Sequence, residues 1–283
     1  MTPTRLTSGE FRMRFFSALS VALFMLVGTS LELRAGTITF GGPNATLDSD
    51  SWSFDGSQLS GWSSAILNPA NFGPGGVVGH SINKQSMGTI NAATLANVDV
   101  FVSPYWSDSA SSPFVTDIVN YFLSGGNLFL LQDASSFDAI GDALGIATVG
   151  TQNGNPHTGT GALFNNVFGN PASISQAGTQ GYLSESAVNA HNGTIGARNR
   201  FGRVTAAYWN PGEYAAGAGA MVILADVDMI SNSTSNYTTM NNNAQFALNS
   251  TAFLASSAQV PEPTSALVWA ALTGLCAMRF RRS

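Results

Sequence analysis

The chain has 283 residues, enough for one large domain or two small ones with a sizeable core. Residues 36–259 keep only Lys84, Arg198, Arg200 and Arg203 against thirteen acids, a net of −9, which excludes a nucleic-acid binder that needs clustered cations on phosphates. The only cysteine, Cys276, lies in a C-terminal apolar stretch, so residues 36–259 hold no disulfide, thiolate zinc site or cysteine nucleophile.

The N-terminus reads as a secretory signal. Arg12 and Arg14 precede an apolar run from Phe15 to Val27, and small and polar residues follow around Gly28-Thr29-Ser30 and Leu33-Arg34-Ala35. Thirteen apolar-dominated residues are short for a spanning helix, which needs about 20. Residues 1–35 are therefore expected to be removed, with Met13 as an alternative start and a retained anchor as the competing reading.

Residues 36–95 show strand-like pieces at Thr37–Phe40, Trp62–Leu67 and Val77–Ile82 between Gly/Pro/Asn-rich turns. Val98-Asp99-Val100-Phe101-Val102 is a short apolar strand. Ser111-Ser112-Pro113 then offers a cap and a first-turn proline for a helix through Val115, Ile118, Val119 and Phe122, stopped at Ser124-Gly125-Gly126. Asn127–Gln132 is a near-continuous apolar strand, as a parallel strand covered on both faces requires. A helix from Ser136 to Leu144 ends at Gly145. Residues 147–205 are irregular by pattern and predict loops with short strands. Ala220–Ala225 is a further buried strand ending in Asp226-Val227-Asp228, and Asn241–Ala255 a closing helix.

Strand–helix–strand–helix order with short connections predicts an α/β fold: three layers, a mostly parallel sheet with helices on both faces, and an irregular β-rich N-terminal part. An all-β sandwich is the alternative, because short apolar runs do not distinguish the two. The order of elements over residues 95–255 resembles the class I glutamine amidotransferase-like (flavodoxin-like) superfamily, in its non-catalytic branches. Two departures stand out. About nine residues separate Trp62–Leu67 from Val77–Ile82, too few for a parallel crossover, so the first helix of that fold is expected to be missing. Catalytic members carry a cysteine directly after the strand that here ends Leu131-Gln132-Asp133, and a carboxylate is no substitute for a thiolate in attack on an amide. The expected domain is non-catalytic, without a cofactor.

Asp133, Asp226 and Asp228 fall at the carboxyl ends of buried strands, where open α/β sheets place their ligand crevice. Together they are the candidates for a hard cation such as Ca²⁺ or Mg²⁺, or for the acid and base of a metal-assisted hydrolase; the bland alternative is that each caps local backbone. His80, His157 and His191 are spaced too widely to read as a zinc site. Trp52, Trp62, Trp106, Trp209, Tyr105 and Tyr208 are either core or the platform of a sugar groove.

At the C-terminus, Val260-Pro261-Glu262-Pro263 precedes an apolar stretch from Thr264 to Met278 and then Arg279-Phe280-Arg281-Arg282. Pro-Glu-Pro cannot continue a helix, and the arginines hold the end of the apolar segment on the cytoplasmic side. This order resembles the PEP-CTERM sorting signal of Gram-negative bacteria. The resemblance implies passage through the inner membrane, with the secretion machinery and an exosortase as partners. An exported cell-surface or matrix protein is thus expected, with sorting residues Pro261, Glu262, Pro263, Arg279, Arg281 and Arg282; exopolysaccharide binding is the alternative role.

Overall fold

The computed structural model describes residues 36–104, 113–133 and 139–258. The leader reading, the tail reading, the Ser111-Ser112 cap, the start of the Ser136 helix, Tyr105 and Trp106 lie outside the described residues.

In chain order the elements are β1 (Thr37–Pro43), α1 (Ser60–Ile66), β2 (Ser81–Met87), α2 (Ala92–Leu95), β3 (Val100–Ser103), α3 (Pro113–Leu123), β4 (Asn127–Leu131) and α4 (Ala139–Ala143). There follow β5 (Thr148–Thr151), β6 (His157–Gly159), β7 (Gly181–Leu183), α5 (Glu185–Ala190), β8 (Thr194–Asn199), β9 (Val204–Trp209), β10 (Met221–Leu224) and α6 (Asn242–Ser257). All ten strands join one sheet in the order β2-β1-β3-β4-β10-β9-β7-β5, with β8 on β9 and β6 on β8. Pairing from β2 to β10 is parallel. Beyond β10 it is antiparallel throughout.

The strand order of the parallel half is that of a doubly wound flavodoxin-like sheet. The apolar runs explain why. In β3, Val100 and Val102 enter one core and Phe101 the other; in β4, Phe129 and Leu131 part from Leu128 and Leu130 in the same way. A strand apolar on both faces needs cover on both. Here α1 and α6 pack on one face, and α2, α3, α4 and α5 on the other. This is the expected three-layer α/β fold. Val98–Val102, Leu128–Gln132 and Met221–Ala225 are neighbours in it and pair in parallel, which excludes the all-β sandwich.

Two expectations are corrected. Trp62–Leu67 is not a strand: Ser60–Ile66 is helical. Leu59, Trp62, Ala65 and Ile66 fall on one helical face and are buried against the core that includes α6. Its Ser and Gly residues are weak helix formers, so packing rather than propensity decides the conformation. The first helix of the fold is therefore present, as α1, between β1 and β2, which pair in parallel over seven residues. The second strand accordingly starts at Ser81 rather than Val77.

The irregular region 147–205 supplies four strands and one helix of the antiparallel half, completed by β9. Polar residues of α6 fasten part of it. Asn249 accepts from Phe168 N–H and donates to Gly169 O; Asn243 accepts from Ser175 N–H and donates to Ser175 O and Met229 O. Among the described residues no helix is long and apolar enough to cross a membrane.

Candidate functional site

β4 and β10 are neighbours, and both end in acid. Gln132 N–H donates to Leu224 O at 2.8 Å, and Val227 N–H returns to Gln132 O at 2.8 Å. The chain thus brings Asp133 off one strand beside Asp226 and Asp228 off the other. Asp226 extends into a short 3₁₀ turn, Val227–Met229, and its Oδ1 accepts Asp228 N–H at 2.7 Å. Asp228 Oδ1 accepts from Ser231 Oγ at 3.0 Å.

The loop before β7 lies against this corner. A Cβ added at Gly178 would sit 3.6 Å from Asp228 Oδ2, and one at Gly181 only 2.2 Å from the Asp133 carbonyl. Gly181 must therefore stay glycine for the loop to pass Asp133. Between them Gln180 is wholly buried, with its Nε2 3.4 Å from His157 Nδ1. His157 Nδ1 also meets Thr205 Oγ1 at 3.0 Å, and Thr205 O accepts Ala225 N–H. These contacts link Gln180, His157 and Thr205 to the backbone of Ala225, the residue before Asp226.

The electrostatics of these groups follow from burial. Asp133 is pushed up to about 6, first by desolvation and then by the Asp228 charge. Asp226 is raised well above the ordinary carboxylate range by desolvation, with the charges of Asp228 and Asp133 adding to it against the opposing Asp228 N–H bond. Asp228 is raised by desolvation against the Ser231 hydrogen bond. His157 is pushed down to about 4 by burial. No described cation offsets the acids: Lys84 pairs with Asp55 and Arg198 with Glu185, while Arg200 lies over Phe201 and Arg203 over Tyr182.

The sequence candidates thus come together, but as a carboxylate corner rather than a metal triad. No group of three or more His, Cys, Asp or Glu among the described residues could hold one metal ion. Sequence reasoning missed Gln180 and Thr205, because single polar residues in a Gly- and Asn-rich region carry no spacing signal. His157 was noticed only as a zinc candidate. Its ring instead meets Thr205, Gln180 and Asn155, the last at 3.1 Å from Nε2. Thr205–His157–Asn155 has the order of a nucleophile, base and orienter, yet Thr205 and His157 are both 0% exposed, so no substrate reaches the hydroxyl. His80 and His191 stand elsewhere: His80 Nδ1 accepts from Gly36 N–H, and His191 stacks on Tyr214.

Trp62, Trp209 and Tyr208 are buried in the two cores. They cannot form a sugar platform. The fold's switch point lies between β1 and β3, two strands from the corner. On its β1 side a Cβ at Gly42 would lie 2.5 Å from the Phe54 ring, so that side is filled by an aromatic side chain.

No family model matches the chain, and neither does any curated protein. Among solved structures, the N-terminal domain of mmIFT52 superposes with a TM-score of 0.54 at 12% identity, over 79% of this chain and 99% of that one. A cytoplasmic protein from Salmonella typhimurium gives 0.50 at 11% identity, over 79% and 99%. A ThuA-like protein from Bacteroides uniformis gives 0.48 at 11% identity, over 80% and 93%. At such identities the likeness is one of fold.

Proposed function

We propose that this chain is an exported surface or extracellular-matrix protein, delivered by exosortase-type sorting, whose α/β domain binds rather than catalyses. The observation that carries the reading is the tail: Pro261-Glu262-Pro263, the apolar stretch and Arg279, Arg281 and Arg282 occur together in the order the sorting machinery of that family uses. A charge-poor, acidic, cysteine-free domain behind a secretory leader is consistent with it. For the domain itself, Gln132 and Asp133 occupy the place after β4 where catalytic relatives of the resembled superfamily carry cysteine, and the nearest hydroxyl–imidazole pair is sealed from solvent. These features support a binding role.

Replacing Pro261, Glu262 and Pro263 by alanine is expected to leave unprocessed protein in the inner membrane. Fractionation and immunoblotting check this, and normal release of the variant overturns the reading.

A further inference from the structure

Residues 36–259 carry four cations against thirteen acids, and three of the four, Arg198, Arg200 and Arg203, fall in one stretch of six residues. They flank the turn from β8 to β9, and their pairing is unequal. Lys84 meets Asp55 at 2.9 Å and Arg198 meets Glu185 at 2.6 Å. Among the described residues no carboxylate pairs with Arg200 or Arg203. Residues 200–203 are all exposed, and Phe201 between the two arginines is 53% exposed. The turn is nevertheless held firmly. Asn199, 4% exposed, accepts Phe201 N–H at 3.0 Å and Arg203 N–H at 3.1 Å through its side-chain oxygen, and its amide donates to Gln152 O. Arg198 donates to Gly202 O at 2.8 Å, where the chain passes through φ 80°. The side chains are placed as well. Arg200 lies over the Phe201 ring and Arg203 over the Tyr182 ring, each guanidinium carbon 4.7 Å from the ring centre, and Arg203 Nε donates to Gln152 Oε1. An arginine held over a ring has lost rotamer freedom before any ligand arrives, which lowers the cost of binding one.

We propose that this turn binds an anionic polysaccharide through carboxylate groups on its sugar rings. The inference rests on the binding role proposed above and names its ligand class. A guanidinium over a ring keeps its N–H edge free, and that planar fork matches a carboxylate with two parallel hydrogen bonds. Two such forks, three positions apart on a pinned turn, suit acid groups repeated along one polymer. Phe201 adds an apolar ring beside them, a surface on which the C–H face of a sugar packs. Other polyanions fit less well. A lipid surface takes clusters of about four to eight cations and a nucleic acid takes a basic stripe, whereas two unpaired arginines stand here on a domain of net charge −9. Repulsion from acids farther than about 8 Å is screened at physiological salt, so the turn acts as a local cationic site.

The test titrates the full chain with oligogalacturonate by calorimetry, at about 20 mM and about 150 mM salt. Saturable binding that weakens with salt is expected. Arg200→Gln and Arg203→Gln should each weaken it about threefold, as loss of an exposed charge pair does, and the double variant about tenfold. Phe201→Ala should weaken it without changing its salt dependence. Lys84→Gln, on β2 at the opposite edge of the sheet, should bind like wild type. Far-UV circular dichroism confirms that each variant is folded. Four results overturn the proposal: no saturable binding by wild type up to about 10 mM sugar; unchanged affinity in the double variant; polyglutamate of equal charge bound as tightly, which makes the turn a site for any polyanion; or phosphatidylglycerol vesicles bound more tightly than the sugar. Continuing heat from cleavage of the sugar would instead overturn the binding role on which the proposal rests. The export reading fails on separate evidence, the release of the Pro261, Glu262 and Pro263 variant.

Discussion

The two edges of the parallel sheet treat buried polar groups in opposite ways. At the amino edge all those that hold the strand starts are paired. Asn127, 3% exposed, donates to Asp99 O at 3.0 Å and accepts Ala220 N–H at 2.8 Å, tying together the starts of β3, β4 and β10. Asp99 Oδ2 takes Thr39 N–H from β1, and Tyr121 of α3 donates to Val98 O. At the carboxyl edge Asp133, Asp226 and Gln180 leave oxygens with nothing to accept from. The first edge is stitched for stability. The second spends stability, and such expense in a fold is where function is sought.

The largest effect should come from cutting the stitched edge. Asn127→Ala strands the buried Ala220 N–H, leaves the Asp99 carbonyl with only the backbone N–H of residue 127, at 3.3 Å, and opens a small void. A loss of about 2–4 kcal/mol is expected from urea unfolding, on the scale of about 1–3 kcal/mol for one buried group left unpaired and about 1 kcal/mol for the void. It should be nearly independent of pH between 5 and 8, since no charge of Asn127 titrates. A loss below about 1 kcal/mol would remove the contrast between the edges.

The next effect concerns His157. Burial holds its folded pKa near 4, below the unfolded value of about 6.5, so the unfolded chain binds more protons between those limits. Stability conferred by neutral His157 is therefore complete above pH 6.5 and is lost as pH falls toward 4, by up to about 3 kcal/mol. His157→Gln should lack that loss, so the difference between wild type and variant should shrink as pH falls from 7 to 4. Parallel curves would show that His157 is not held neutral.

The parallel half was legible because its strands are apolar on both faces, and the caps that bound them are local. Gly125, at φ 105°, ends α3 where Ser124-Gly125-Gly126 predicted, and Asn241 caps α6 as its position suggested. The antiparallel half was not legible. Its strands β5, β6 and β7 are three or four residues long, and β8 and β9 pair through register shifts that break the alternation a reader counts. Helix α1 was misread for a different reason: β-like residues Trp62 and Ile66 sit in a Ser-rich segment whose helical state depends on α6, 180 residues away. In the corner, the three acids were visible as strand-end residues. Gln180 and His157 arrive from distant segments, a long-range fact without local signature.

The smallest and most diagnostic effect is at Asp226. Its folded pKa is raised, so between the unfolded value near 4 and the higher folded value the native state binds more protons. The slope of stability with pH is then negative: the acid is tolerated when protonated and becomes a burden as pH rises. Asp226→Asn should match wild type near pH 4 and exceed it at pH 7.5, by about 1–2 kcal/mol, the size of one relieved buried acceptor. This is the reverse of Asn127→Ala, in sign and in pH dependence, although both remove a polar group from the end of a central strand. If Asp226→Asn is less stable than wild type at every pH, the corner is as tightly stitched as the amino edge and the contrast between them fails.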